Sequence, residues 1–175
     1  MGAPYLTDMH GYDLIGAGDV LMGMSVTFMI GSLAYGWLAP RLARTKRLVL
    51  FGASSSVALF VILAFLPAGH GGAVAMLLGL SGLLGSYSVL LLSHIRTLFP
   101  DHMVGRGLTA GNLFTFAGVG LVQAASGAII GAFGGGETRS PGAYTALFLF
   151  LAAIVTVAAL VYLRARDPVI ERGAG

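Results

Sequence analysis

"GWLAPRLARTKR", residues 36–47, gathers four cations, Arg41, Arg44, Lys46 and Arg47, into seven positions. The stretches on either side, 20–39 and 48–69, hold no Asp, Glu, Lys or Arg. Further out, 71–93, 107–136 and 140–163 are equally free of charge. The apolar residues therefore come in long blocks rather than on one face of each element. Each block has about 20 residues or more, enough helix to cross roughly 30 Å of hydrocarbon. Amides in lipid must bond within their own segment, so each block reads as a helix. Spanning strands would be shorter and would alternate, and no such alternation is present. The fold expected is all-α, a polytopic membrane bundle of five helices at about 15–39, 47–67, 71–97, 104–133 and 141–164, in one domain over 1–175. The glycine-rich end of the fourth block, 134–136, reads as loop.

Composition agrees. The chain is 57% hydrophobic and 10% charged, against about 25% charged in soluble domains, and its mean hydropathy is +0.88. The charges also give a direction. Segments 41–47, 96–106 and 164–172 alternate to one side of the membrane and hold nine of the ten cations, leaving only Arg139 on the other. Cations near span ends favour the cytoplasmic side. The N-terminus is thus expected outside and the C-terminus in the cytoplasm, in the inner (cytoplasmic) membrane. The net charge of +3 follows from these flanking cations, and nucleic acid is not an expected partner. There is no cysteine, so neither disulfides nor thiolate metal sites are available. The start lacks a basic region followed by an apolar core, so it is not a signal peptide. Five spans with an exported N-terminus and no export signal create the expectation that a segment upstream is lacking.

Chemistry-bearing residues are few. On a helix at 100° per residue, Asn112, Thr115, Gln123 and Ser126 fall within about 80° of one another. Polar groups facing lipid are costly, so this stripe should meet protein or water, either lining an aqueous pathway or bonding neighbouring helices. Gly107, Gly111 and Gly118 form a separate narrow face suited to close packing. Ser81, Gly85 and Ser88 share a face that could line a cavity or permit tight packing. Asp19, near the outer start of the first span, suits a helix N-terminus or, as an ionisable group in a span, proton coupling. "GLSG", 79–82, fits the G-x-S-G of an intramembrane serine protease. That enzyme needs a base on another helix, and His10, His70, His94 and His102 all sit in loops or at helix ends. No Walker motif and no carboxylate cluster for a metal are present, so no cofactor and no enzymatic activity are expected.

The opening stretch resembles the loop signature of the major facilitator superfamily, roughly G-x-x-x-D-R-x-G-R-R/K, with Gly36, Arg41, Arg44 and Lys46 matching. Pro40 replaces the usual Asp and Ala43 the second Gly, which puts the usual salt-bridge gate in doubt. "VGRGLTAGNLFTFAGVGLVQAASGAIIG", 104–131, is similar to the penultimate helix of such transporters, and "APYLTDMHG", 3–11, to the outer end of their seventh. The resemblance covers the chain as helices eight to twelve plus a stub of seven. It implies secondary transport of a small solute by alternating access, with a coupling ion such as a proton, an N-terminal half as missing partner, and no transport by this chain alone. A small membrane scaffold or accessory subunit is the alternative reading. The residues themselves add that Gly36 lets a helix end approach a neighbour, and that Arg41 and Arg44 can bond helix-end carbonyls or anionic headgroups.

Overall fold

The computed structural model describes residues 2–42, 45–97, 99–133 and 140–165. They form seven helices: α1 Gly2–His10, α2 Leu14–Leu42, α3 Thr45–Phe65, α4 Gly71–Gly85, α5 Ser88–Thr97, α6 Val104–Phe133 and α7 Pro141–Tyr162. A 3₁₀ turn, Asp101–Met103, leads into α6, and no strand occurs among the described residues. Five segments are long and apolar enough to cross a membrane, with α4 and α5 acting as one. The protein is an all-α, multi-pass membrane bundle. The glycine-rich stretch 134–136 and Arg44 lie outside the described residues.

Local chemistry sets the helix ends. Gly11 closes α1 at φ +71°, the left-handed conformation that glycine adopts without penalty. Asp13 opens α2: its Oδ1 accepts from the Gly16 amide at 2.8 Å, as an N-cap does. Asp13 thus takes the helix-start role expected of Asp19. Asp19 lies beyond the first turn and is exposed on the side of the helix. Pro40 sits inside α2 rather than ending it, because in a last turn proline costs one ladder bond and not the span. Ser140 caps α7, accepting from the Ala143 amide at 3.3 Å, with Pro141 preorganised just inside.

The third span is broken, against the expectation of one helix over 71–97. Ser86 and Tyr87 separate α4 from α5. The Ser86 hydroxyl donates to the Leu83 carbonyl at 2.6 Å, a local bond that competes with the helix ladder. From α2, the Tyr35 hydroxyl donates to the Leu84 carbonyl at 3.4 Å. The Thr27 hydroxyl lies 2.8 Å from the Gly79 carbonyl and 2.9 Å from that of Met24. Backbone polar groups at membrane depth are tolerated when protein satisfies them. Glycine permits this approach: a Cβ at Gly31 would run into Ser86 Oγ and the Leu83 carbonyl, and one at Gly82 into the Met24 carbonyl and Thr27 Oγ1.

Two apolar clusters mark the two ends. At one end Tyr5, Leu6, Ala17, Leu63, Val74, Ile130 and Tyr144 join α1, α2, α3, α4, α6 and α7. At the other, Tyr35, Val49 and Leu90 pack with Ala39, Leu48 and Tyr162. This second end carries Arg41, Arg47, Arg96 and Arg164, so it is the cationic end. Between the ends, α2 packs on α4 and α3 on α7, while α6 touches α5 near its start and α7.

Candidate functional site

The polar stripe of α6 divides. Asn112, Thr115 and Gln123 are exposed, whereas Ser126 is 3% exposed. Thr115 turns its hydroxyl back to the Gly111 carbonyl at 2.8 Å, which lowers its cost in an apolar setting. The amides of Asn112 and Gln123 each carry two donors and an acceptor, more than one bond back to the helix can satisfy. The glycine face divides as well. A Cβ at Gly107 would meet the Phe99 ring and one at Gly111 the Ile95 Cδ1, but Gly118 has open space around it. Thus α6 docks through its first turns and through Ser126 and Ile130, and its middle stands clear of the bundle. The middle also exposes Phe114 and Leu121 on the side opposite the amides, and Phe116 and Val119 on the polar flank itself, so the flank is mixed.

Ser81 and Ser88 do not act together. The break at Ser86–Tyr87 intervenes, leaving Ser81 half-buried and Ser88 exposed. Ser81 and Gly85 instead line a cavity of about 340 Å³ between α1, α2, α3, α4 and α7. Three of its hydroxyls are spent on the backbone: Ser81 on the Leu78 carbonyl at 2.7 Å, Ser56 on Gly52 at 2.9 Å, Tyr5 on Leu63 at 3.5 Å. No residue of α6 lines it, so cavity and polar stripe are separate features. Nor does Ser81 meet a base. The nearest histidine in sequence, His70, lies at the opening of α4, and His94 is buried with its Nδ1 2.7 Å from the Tyr162 hydroxyl.

At the cationic end the four signature residues differ in role. A Cβ at Gly36 would meet nothing within 4 Å among the described residues, so the close approach expected there is not made within them. Among the described residues Arg41 meets no helix-end carbonyl. Its guanidinium stacks 3.5 Å from the centroid of the Trp37 ring, a cation–π pair. Lys46 performs the capture instead, its Nζ donating to the carbonyls of Leu163 at 2.7 Å and Ala165 at 2.8 Å. An ammonium at a helix C-terminus satisfies orphan carbonyls and suits the dipole. Arg44 lies outside the described residues.

The opposite end holds groups that sequence reasoning passed over. The Tyr144 hydroxyl donates to Asp8 Oδ2 at 2.6 Å, tying α7 to α1. His10 packs edge-on against the Tyr5 ring at 4.9 Å, and both its ring nitrogens are buried without a partner among the described residues. Burial first, and then the charge of nearby His70, hold its pKa below the usual 6.5. A histidine lowered in the fold is stabilising to keep neutral. Its cost is absent above the unfolded pKa and appears as pH falls below about 6.5. Stability of the membrane-embedded chain should therefore decline as pH drops from 7 to 5, and His10→Phe should flatten that decline. An unchanged slope in thermal melts of His10→Phe would remove His10 as its source.

A family model described as Major Facilitator Superfamily matches residues 1–175. No curated protein and no solved structure matches the chain.

Proposed function

The chain belongs to the major facilitator superfamily, a family of transporters, and on that premise we propose that α6 forms one wall of the path taken by a small solute. The observation that carries this reading is the exposure of Asn112 and Gln123 in the middle of a spanning helix. Bare amides on a lipid-facing surface are costly, whereas water or a facing protein surface accommodates them. The path then runs between this flank and a second helical bundle that completes the transporter, and solute crosses by alternating access. Asp19 supports ion coupling, since an exposed carboxylate on a span is stable only where water or a cation reaches it. The broken span supports the same reading, because discontinuous helices recur where transporters handle substrate and ions. The cationic end faces the cytoplasm in this scheme, by the bias of cations toward that side.

The absence of cysteine makes the test direct. Single cysteines at Asn112, Thr115 and Gln123 should react with a water-soluble maleimide, and those at Phe114 and Leu121 should not. An impermeant reagent added to intact cells should label a cysteine at Gly69 and spare one at Asp101. Protection of 112 and 123 equal to that of 114 and 121 would leave neither side of α6 in water and end the pathway reading. Labelling at 101 with protection at 69 would invert the orientation.

A further inference from the structure

We propose that the cationic end of the bundle is a binding face for anionic phospholipid headgroups, built from Arg41, Arg47 and Arg164 beside Trp37. The contact made by Lys46 assembles it. By holding the Leu163 and Ala165 carbonyls at 2.7 and 2.8 Å, Lys46 fixes the start of α3 against the end of α7. Arg47 follows Lys46, and Arg164 lies between the two captured residues, so both arginines belong to the same end of the bundle. The apolar cluster beneath does the same for Arg41: Ala39, Leu48 and Tyr162 pack against a common core of Tyr35, Val49 and Leu90. Arg41, Arg47 and Arg164 are all exposed, and none is engaged by a carboxylate among the described residues. The one described acid at this end is Asp101, exposed in the 3₁₀ turn before α6.

The face suits a lipid rather than a soluble partner. Trp37 is 59% exposed one turn before the end of a spanning helix, at the level where tryptophan meets headgroups. The guanidinium of Arg41 rests on its ring at 3.5 Å, which holds the planar fork at that same depth. Guanidinium forks match phosphate oxygens in paired hydrogen bonds. Lys46 is not part of the face, because its ammonium is committed to the helix end. The inference stands on this geometry alone and is independent of any solute path on α6.

Trp37 is the only tryptophan of the chain and serves as the reporter. The full chain is reconstituted in phosphatidylcholine vesicles containing a rising fraction of either brominated phosphatidylglycerol or brominated phosphatidylcholine. Bromine quenches tryptophan on contact. Trp37 should be quenched preferentially by the anionic lipid, by about fivefold or more in relative affinity, as expected from even one basic contact at the surface. The double variant Arg47→Gln, Arg164→Gln leaves the Trp37–Arg41 pair in place and should lower the preference severalfold, to no more than the roughly fivefold of one basic contact. Equal quenching in the unmodified chain would overturn the proposal, as would a preference undiminished in the double variant. Loss of the preference in inorganic phosphate, compared with chloride at the same ionic strength, would assign the arginines to a soluble anion instead and would equally overturn it.

Discussion

Gly31→Leu is expected to leave little folded protein. Most overpacking substitutions find a neighbour that can swing aside. Gly31 faces the Leu83 carbonyl and Ser86 Oγ, a piece of backbone and a short hydroxyl whose own bond to that carbonyl holds it in place. Nothing there yields without moving α4 away from α2. That seam carries the Thr27 and Tyr35 bonds to the carbonyls of Gly79 and Leu84, so displacement also leaves backbone acceptors unmet at membrane depth. Overpacking alone costs about 1–3 kcal/mol, and each orphaned group roughly 1–3 kcal/mol more. Together these approach the whole stability of an ordinary domain, about 5–15 kcal/mol. Gly23→Leu is the matched control on the same helix, where a Cβ meets nothing within 4 Å. The yield of monodisperse protein after detergent extraction and the midpoint of thermal unfolding should collapse for Gly31→Leu and change little for Gly23→Leu. Equal behaviour of the two would mean that the close approach of α2 to the break is not maintained in the membrane.

The same seam shows what sequence could and could not reveal. Spans were legible because crossing a bilayer is a one-dimensional requirement, so uninterrupted apolar length is visible without knowing any neighbour. The gathering of Arg41, Arg47, Arg96 and Arg164 at one end was legible for a similar reason, since clustered arginines mark an end wherever the helices happen to pack. The break at Ser86–Tyr87 was not legible. A serine bonding its own helix is common and seldom ends it, and what makes it decisive here is Gly31 and Tyr35, which approach from another helix far away in the chain. "GSYS", 85–88, is the available signal, a polar, small-residue interruption, but the helical period reads Gly85 and Ser88 together with Ser81 as one face, for a cavity or for tight packing. Lys46 was legible as a cation at a helix end but not as a cap, because its acceptors belong to α7.

For the candidate site the limit is azimuth against neighbour. A period of 100° per residue places Asn112, Thr115, Gln123 and Ser126 on one flank, but it cannot say which neighbour covers which turn. Ser126 is buried and Gln123 exposed although they are one turn apart, because α6 docks at its two ends and stands clear between them. Asp19 reads from sequence either as a helix-start residue or as an ionisable group within the span 15–39. The start of α2 is fixed by Asp13 and its bond to Gly16, which leaves Asp19 beyond the first turn.

Replacing Asn112 and Gln123 by alanine separates a wall of the solute path from an interhelical adhesive, the two roles such amides can have in a membrane. If water solvates both amides in the empty path, truncation leaves no partner unsatisfied, and folded amount and melting temperature should stay near those of the parent. Transport by the assembled transporter should fall instead. A hydrogen bond made to the passing solute is worth roughly 0.5–1.5 kcal/mol net, so each change should cost between about twofold and tenfold in rate at limiting solute. The residues are roughly 16 Å apart along the helix, far enough for their effects to add, so the double variant should lose up to about a hundredfold. If the amides are adhesive between helices, the pattern reverses: each change costs about 0.6 kcal/mol of stability and at most roughly 1.7, and transport declines only with the folded amount. A membrane scaffold predicts this second pattern together with loss of the partner on co-purification. Proteoliposome uptake normalised to folded protein, measured beside thermal melts of the same preparations, distinguishes the two. Lowered melting temperatures with unchanged normalised uptake in Asn112→Ala and Gln123→Ala would remove both residues from the path.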